Sequence, residues 1–155
     1  MKGDDEKMIS VRIEIDRNPA GVFAYIEQLD KHGEWQAAIV SARQEPPGPT
    51  RVGTRNIEIR RVPGVPREIV SEVVVYDPPR RISARGLNGP IRARIGITVE
   101  PLDNGTRSRV TQELELEGRG IGKLLVVLAR RSAPKAMSED LTRLKQLLEG
   151  KTESQ

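Results

Sequence analysis

Between residues 39 and 118 the sequence breaks into short runs in which apolar and polar residues alternate, separated by turns rich in glycine and proline. A period of two places successive side chains on opposite faces of a sheet, and Gly or Pro supplies the backbone angles that a chain reversal needs. The turn Asp103-Asn104-Gly105 is the strongest hairpin signal among them. The pattern predicts six strands in an antiparallel meander, with the sequences SARQE, TRNIEIRRV, EIVSEVVVY, RISARG, IRARIGITVE and RSRVTQELELEG.

A further strand and two short helices are expected before the meander. MISVRIEID alternates cleanly and predicts a half-buried strand. Asn18 offers an N-cap and Pro19 the first helical position, and apolar residues then recur at helical spacing until Gly33. We expect one short helix here and a second helical turn from Glu34 to Ala38.

After Gly120 the apolar period becomes helical. Pro134 interrupts this tail, which predicts either two helical segments or one kinked helix, ending near Gly150. In a straight helix Leu124 and Leu128 would point nearly opposite to Met137, Leu141, Leu144 and Leu148. Either the chain bends at Pro134 or the first half buries a different face.

The fold class that follows is α+β. A curved antiparallel sheet of six to seven strands needs a cover for its apolar face, and the long C-terminal helix is large enough to supply it. At 155 residues the chain is expected to form one domain, spanning residues 8–149. Residues 1–7 and 150–155 are expected to be flexible tails.

Composition excludes several kinds of chemistry. The chain has no cysteine, so disulfides, thiolate metal sites and cysteine nucleophiles are absent. The start MKGDDEKMIS lacks an apolar signal region and no run is long enough to span a bilayer, so we expect a cytoplasmic protein without stable membrane insertion. The net charge is +4, but the arginines alternate with apolar residues in strands. That favours a solvated sheet face over a nucleic-acid surface.

The order of these elements resembles the START-like or SRPBCC superfamily, the helix-grip fold of birch-pollen-allergen-like proteins and of polyketide cyclase/dehydrase and lipid transport domains. The resemblance covers about residues 8–149. The pieces that carry it are the opening strand followed by NPAGVFAYIEQLDKHGEW, the VGT after a proline-rich turn, EVVVYDPPRRI, the GP hairpin with PLDNGTRSRV, and DLTRLKQLLE.

The resemblance implies a cavity between the concave sheet face and the C-terminal helix, which commonly holds a lipid, sterol, polyketide or other hydrophobic molecule. Some members are cyclases, aromatases or ring-hydroxylating oxygenase domains, and bacterial single-domain members resemble this chain. The oxygenase type needs two histidines and a carboxylate for iron, and His32 is the only histidine here. We expect no cofactor and no metal.

Candidate ligand-binding residues come from the predicted inward faces. Trp35 is either a core wedge or a cavity residue whose indole N–H meets a ligand. Gln112 is the polar member of its row, and Arg55 either points inward toward an acidic head group or reaches solvent. The remaining candidates are the apolar residues Ile57, Ile59, Val73, Ile82, Ile95, Ile97, Leu114, Leu124, Leu128 and Met137.

No catalytic set is visible in the sequence. His32 is the natural general-base candidate, but in its polar segment we expect a histidine that either favours the helix C-terminus or faces water. Tyr25 is expected at solvent or at the cavity edge. The apolar stretch GIGKLLVVLA is expected in the core, with a cavity cap, a homodimer interface or a membrane contact as alternatives.

We therefore expect a protein that binds a small to medium hydrophobic ligand without catalysing a reaction. One alternative is a polyketide cyclase or aromatase-like enzyme, which predicts polar groups clustered in an open cavity. The other is a protein-interaction module, which predicts a filled core and an exposed apolar patch around Ile121 to Leu128.

Overall fold

A computed structural model of the chain describes residues 8–61 and 66–153, with side chains described as far as Gly150. Its seven strands form one antiparallel sheet in the order β1-β7-β6-β5-β4-β3-β2. The predicted meander and the additional first strand are confirmed. The strands are β1 (Met8–Ile15), β2 (Ile39–Glu45), β3 (Arg55–Arg61), β4 (Pro66–Asp77), β5 (Arg81–Gly86), β6 (Ile91–Leu102) and β7 (Arg107–Gly118).

Three predicted features fall outside the described residues. These are the tail at residues 1–7, the last two residues of the C-terminal tail, and most of the turn that was predicted between β3 and β4.

Two short helices follow β1, as predicted. Helix α1 (Pro19–Ile26) begins where the Asn18 side chain accepts a hydrogen bond of 2.7 Å from the backbone N–H of Gly21. The second is a 3₁₀ helix over Leu29–Glu34, so the helical turn predicted from Glu34 to Ala38 begins five residues earlier. Leu29 and His32 stand three residues apart and are both buried, which matches the three-residue repeat of a 3₁₀ helix.

The C-terminal helix α2 (Gly122–Glu153) runs as one element through Pro134 and extends three residues beyond the predicted end. It buries a single face along its length, which includes Val126 in the first half. The outward residues Leu124 and Leu128 are 66% and 53% exposed. The two halves therefore bury the same face, and the apolar residues of the first half lie partly on the outside.

The core lies between the helices and one face of the sheet. Helix α2 packs mainly against β1 and β7 and less against β6, while α1 packs against β6 and β7. Strands β3 to β5 therefore meet little of α2, and the sheet face at those strands borders the space in which the candidate site lies. The most deeply buried large side chains are Trp35, Phe23, Ile15, Ile26, Leu141, Leu144 and Leu148.

Gly122 allows the start of α2 to approach the hairpin between β5 and β6. A methyl group at this position would overlap the carbonyl oxygen of Pro90 and would lie 2.8 Å from its carbonyl carbon. Helix α2 can therefore begin here only because residue 122 has no side chain.

We predict that Gly122→Ala destabilises the protein by about 1–3 kcal/mol, the usual cost of overpacking. Urea unfolding monitored by circular dichroism gives the free energy directly. Gly150→Ala is the matched control, because Gly150 is exposed in the same helix and an added methyl meets nothing within 4 Å. Equal stability of the two variants would contradict the close approach.

Candidate functional site

A cavity of about 110 Å³ lies between the sheet face at β3–β7, the 3₁₀ helix and helix α2. Its apolar lining consists of Leu29, Val73, Ile82, Ala84, Ile95, Ile97, Leu114 and Met137. Its polar lining consists of His32, Gln36, Asn56, Glu58, Arg60, Ser71, Ser83, Gln112 and Asp140. The cavity is thus mixed in character, with aliphatic side chains beside a set of hydrogen-bonding groups.

Two rows of paired residues across the strands build the aliphatic wall. In one row Val73 of β4 pairs with Ala84, which pairs with Ile95, which pairs with Leu114. In the other row Ile82 pairs with Ile97, and Ile97 pairs with Gln112. Directly paired residues in an antiparallel sheet share a face, so the register brings all seven side chains to one side.

Seven of the predicted binding residues line this cavity, and their role in binding stays a prediction. They are Val73, Ile82, Ile95, Ile97, Gln112, Leu114 and Met137.

The inward orientation predicted for β3 is wrong. Asn56, Glu58 and Arg60 line the cavity, and strand alternation therefore places Ile57 and Ile59 on the opposite face. Inversion of the usual pattern is possible because the three polar side chains hydrogen-bond to one another at this wall. The sequence signal for this inverted orientation was the polar side chain at every second residue of β3: an amide, a carboxylate and a guanidinium.

Three more candidates lie away from the cavity. Arg55 shares the face of Ile57 and is exposed. Of the two orientations expected for it, it therefore adopts the one that reaches solvent. Leu124 and Leu128 are on the outward face of α2, because the buried face of the helix is defined by Val126 and Leu144.

Trp35 is fully buried and packs edge-on against His32, with 5.3 Å between the ring centroids. It is not among the residues that line the cavity. Its indole N–H has no hydrogen-bond partner among the described residues. The buried position of the Trp35 side chain corresponds to the core wedge of the two expectations. Contact between Trp35 and a ligand stays a prediction.

A continuous hydrogen-bonded chain forms the polar wall. Asn56 Nδ2 donates to Glu58 Oε1 at 2.6 Å, and Arg60 Nε donates to Glu58 Oε2 at 3.2 Å. Arg60 Nη2 also donates to Gln36 Oε1, and Gln36 Nε2 lies 3.4 Å from His32 Nδ1. These hydrogen bonds link β3 to the 3₁₀ helix and so hold the polar wall in place.

His32 lies in the last turn of the 3₁₀ helix, which is one of its two expected positions, and it is buried rather than facing water. Its Nε2 lies 2.7 Å from the carbonyl oxygen of Ile26, which can only accept, so Nε2 carries the proton and Nδ1 is the acceptor. Burial lowers the pKa of His32 below its ordinary value and outweighs the hydrogen bond to Ile26, which raises it. The ring is therefore a neutral structural link between α1 and the polar wall.

Asp140 ties α2 to the segment after the 3₁₀ helix. Its Oδ1 accepts hydrogen bonds from the backbone N–H of Ala37 at 3.2 Å and from Arg143 Nη1 at 3.1 Å. Arg143 Nη1 also donates to the carbonyl oxygen of Trp35 at 2.7 Å. These contacts fix the helix beside the polar end of the cavity.

Tyr25 also lies away from the cavity. It is buried, and its hydroxyl donates to Glu34 Oε1. Burial, assisted by this carboxylate, raises the pKa of Tyr25. Tyr25 is therefore a clamp between α1 and the end of the 3₁₀ helix.

Two buried amide oxygens of cavity residues have no hydrogen-bond donor among the described residues. They are Asn56 Oδ1 and Gln112 Oε1. The Asn56 amide is oriented by its bond to Glu58, so its oxygen is the free atom. A buried acceptor without a partner is costly, and each atom can accept a hydrogen bond from a bound molecule or water.

A sheet with a long C-terminal helix on one face and a cavity between them defines a helix-grip protein. The chain belongs to the family described as polyketide cyclase/dehydrase and lipid transport, whose model matches residues 8–149. The predicted SRPBCC or START-like membership is thereby confirmed. No curated protein matches the sequence.

Solved structures share this fold at low sequence identity. The Zhui aromatase/cyclase of Streptomyces has a TM-score of 0.79 at 12% identity, covering 92% of this chain and 93% of that one. A Thermus thermophilus protein has a TM-score of 0.75 at 16% identity, covering 92% and 97%. A START superfamily protein of Mycobacterium smegmatis has a TM-score of 0.69 at 15% identity, covering 90% and 98%.

In the part of the chain that the structure describes, no helix is both long enough and apolar enough to span a membrane.

We predict that the stability of the protein falls as the pH is lowered from about 7 to about 5.5, with a slope of at most about 1.4 kcal/mol per pH unit. In this window the unfolded chain takes up a proton on His32 more readily than the folded protein does, because burial lowers the pKa of the folded ring, so acid favours unfolding. Urea unfolding at several pH values measures the slope.

His32→Gln is the control, because the chain has one histidine and the variant has none. Whatever its overall stability, this variant is expected to lose most of the slope. An unchanged slope in His32→Gln would show that another group causes it.

Proposed function

We propose that the protein binds a small, uncharged molecule that has an apolar body and at least one hydrogen-bond donor. The observation that carries the proposal is the pair of unpartnered amide oxygens, Asn56 Oδ1 and Gln112 Oε1, in an otherwise aliphatic cavity. The apolar body would lie against the paired rows of β4–β7, and the donor would meet one of the amides.

The cavity volume bounds the size of the ligand. A volume of 110 Å³ is below the roughly 300–1,000 Å³ of pockets for drug-sized ligands. It approaches the about 150 Å³ of an engineered cavity that holds benzene. The walls as they stand suit a molecule of about one ring, and a lipid or a polyketide would require them to move apart.

Charge at the site favours an uncharged ligand. Glu58 is paired with Arg60, Asp140 is paired with Arg143, and the buried His32 is neutral. A charged ligand would lose hydration in this site without gaining a free counter-ion, which is unfavourable.

Phenol and toluene form a matched pair of probes, since they differ in one hydrogen-bond donor. We predict that phenol binds about fivefold more tightly than toluene, the value of one net hydrogen bond of about 1 kcal/mol. Isothermal titration or ligand-induced NMR shifts at the methyl groups of Ile82 and Ile97 would measure both affinities.

Gln112→Met keeps the length of the side chain and removes the acceptor. It is expected to reduce the preference for phenol toward equal affinity. Gln146→Met is the control, because Gln146 is an exposed residue of α2. If neither phenol nor toluene binds, the proposed site is refuted. If Gln112→Met keeps the full preference for phenol, Gln112 does not recognise the hydrogen-bond donor.

A cyclase-like activity is the second candidate. It is favoured by the polar lining of the cavity, where the carboxylate of Glu58 lies beside Asn56 and Arg60. Such a site could shape a reactive chain and promote ring closure with few catalytic groups. The test is incubation with a linear poly-β-keto thioester, with mass spectrometry to detect loss of water and Glu58→Gln as the comparison.

The third expectation, a protein-interaction module, required a filled core. The cavity beside Gln112 argues against a filled core, whereas the exposed Leu124 and Leu128 agree with the other part of this expectation.

A further inference from the structure

The outer surface of the first half of α2, with Ile121 just before the helix, carries several exposed apolar side chains. Ile121, Leu124, Val127 and Leu128 are 74%, 66%, 47% and 53% exposed, and we call these four residues the apolar patch. Large apolar side chains clustered on one helix at this exposure mark a surface that meets another apolar phase or partner.

The same segment carries only positive charge. Between Glu117 and Glu139 the chain has five basic residues, Arg119, Lys123, Arg130, Arg131 and Lys135, and no acidic residue. Arg130 turns inward and donates to the carbonyl oxygen of Leu116 at 3.2 Å. The other four are exposed, and no carboxylate among the described residues pairs with them.

Leucines and cations share one stripe of the helix. Leu124, Leu128, Arg131 and Lys135 follow at intervals of four, three and four residues, so they lie on one face, and all four are exposed. An exposed helix face with bulky apolar residues beside unpaired Lys and Arg matches a helix that lies in the interface of an anionic bilayer.

We propose that this face of α2 docks the protein reversibly on an anionic lipid surface. The apolar patch enters the boundary between head groups and acyl chains, and Arg131 and Lys135 contact the lipid phosphates. Charge argues against a second copy of the chain, since a symmetric contact through α2 would place two such cationic segments against each other. The docking surface lies opposite the buried face of α2 and is separate from the cavity.

Vesicle co-sedimentation tests the proposal with the full chain. Vesicles of phosphatidylcholine mixed with phosphatidylglycerol are compared with phosphatidylcholine alone, at low and at high salt. We expect binding to the anionic vesicles that weakens at high salt. Equal binding to both kinds of vesicle, or no binding to either, overturns the proposal.

The apolar contribution is tested with Leu124→Ser/Leu128→Ser. Loss of two partly inserted leucines is expected to weaken vesicle binding at least about tenfold. Val40→Ser/Val52→Ser is the control, since these valines are 53% and 60% exposed elsewhere on the chain, and it is expected to bind as the unaltered protein does. Equal loss in both double variants overturns the assignment to α2.

The cationic contribution is tested with Arg131→Gln/Lys135→Gln. Each Lys or Arg near an anionic surface contributes about fivefold, so the double variant is expected to bind about 25-fold more weakly. Arg51→Gln/Arg61→Gln removes two exposed arginines elsewhere and is expected to change binding little. If size-exclusion chromatography instead shows a dimer that Leu124→Ser/Leu128→Ser dissociates, the patch binds a second copy and the proposal is wrong.

Discussion

The packing of one face of α2 against β1 and β7 is the constraint on which the rest of the structure depends. Leu141, Leu144 and Leu148 are almost fully buried in this contact, and apolar burial of this kind is the main favourable term in folding. Because β1 pairs with β7 at one end of the sheet order, the helix lies toward that end. The face of β3–β5 is left to border a cavity, and the opposite side of the helix is left to solvent.

The polar wall of the cavity follows from that asymmetry. Where α2 does not cover the sheet, β3 turns Asn56, Glu58 and Arg60 inward, and Gln36 and His32 complete the hydrogen bonding from the other side. An ion pair at such a place gives little net stability, because removal of the two charges from water offsets their attraction. The structural effect of the Glu58–Arg60 pair is to orient the neighbouring side chains. The bond to Glu58 fixes the Asn56 amide, so its free oxygen has a defined direction.

Sequence patterns predicted the strands and their order along the chain, because period-two alternation and turn chemistry are local signals that the sheet reinforces. The family was predicted from the resemblance of its element order and motifs. The inward faces of β5 and β6 were also predictable, since Ile82, Ile95 and Ile97 are each flanked by polar or small residues. Prediction failed for β3, where the rule that apolar residues face inward was overridden by polar groups that hydrogen-bond to one another. It failed for His32 because the partner of the ring, the Ile26 carbonyl oxygen, is created by the fold. Leu124 and Leu128 were assigned to the cavity because apolar character does not reveal which face a helix buries.

The two halves of α2 are held unequally, and this bears on how the site could admit a molecule larger than one ring. Beyond Met137 the helix is fixed by three buried leucines and by the Asp140 and Arg143 contacts to the segment around Trp35. Before Met137, Val126 is the one large apolar side chain of the described helix that is buried. Displacement of this first half would cost less burial than any movement of the second. Met137 lines the cavity at the junction, so such a displacement would widen the cavity from its α2 side and would move the apolar patch with it.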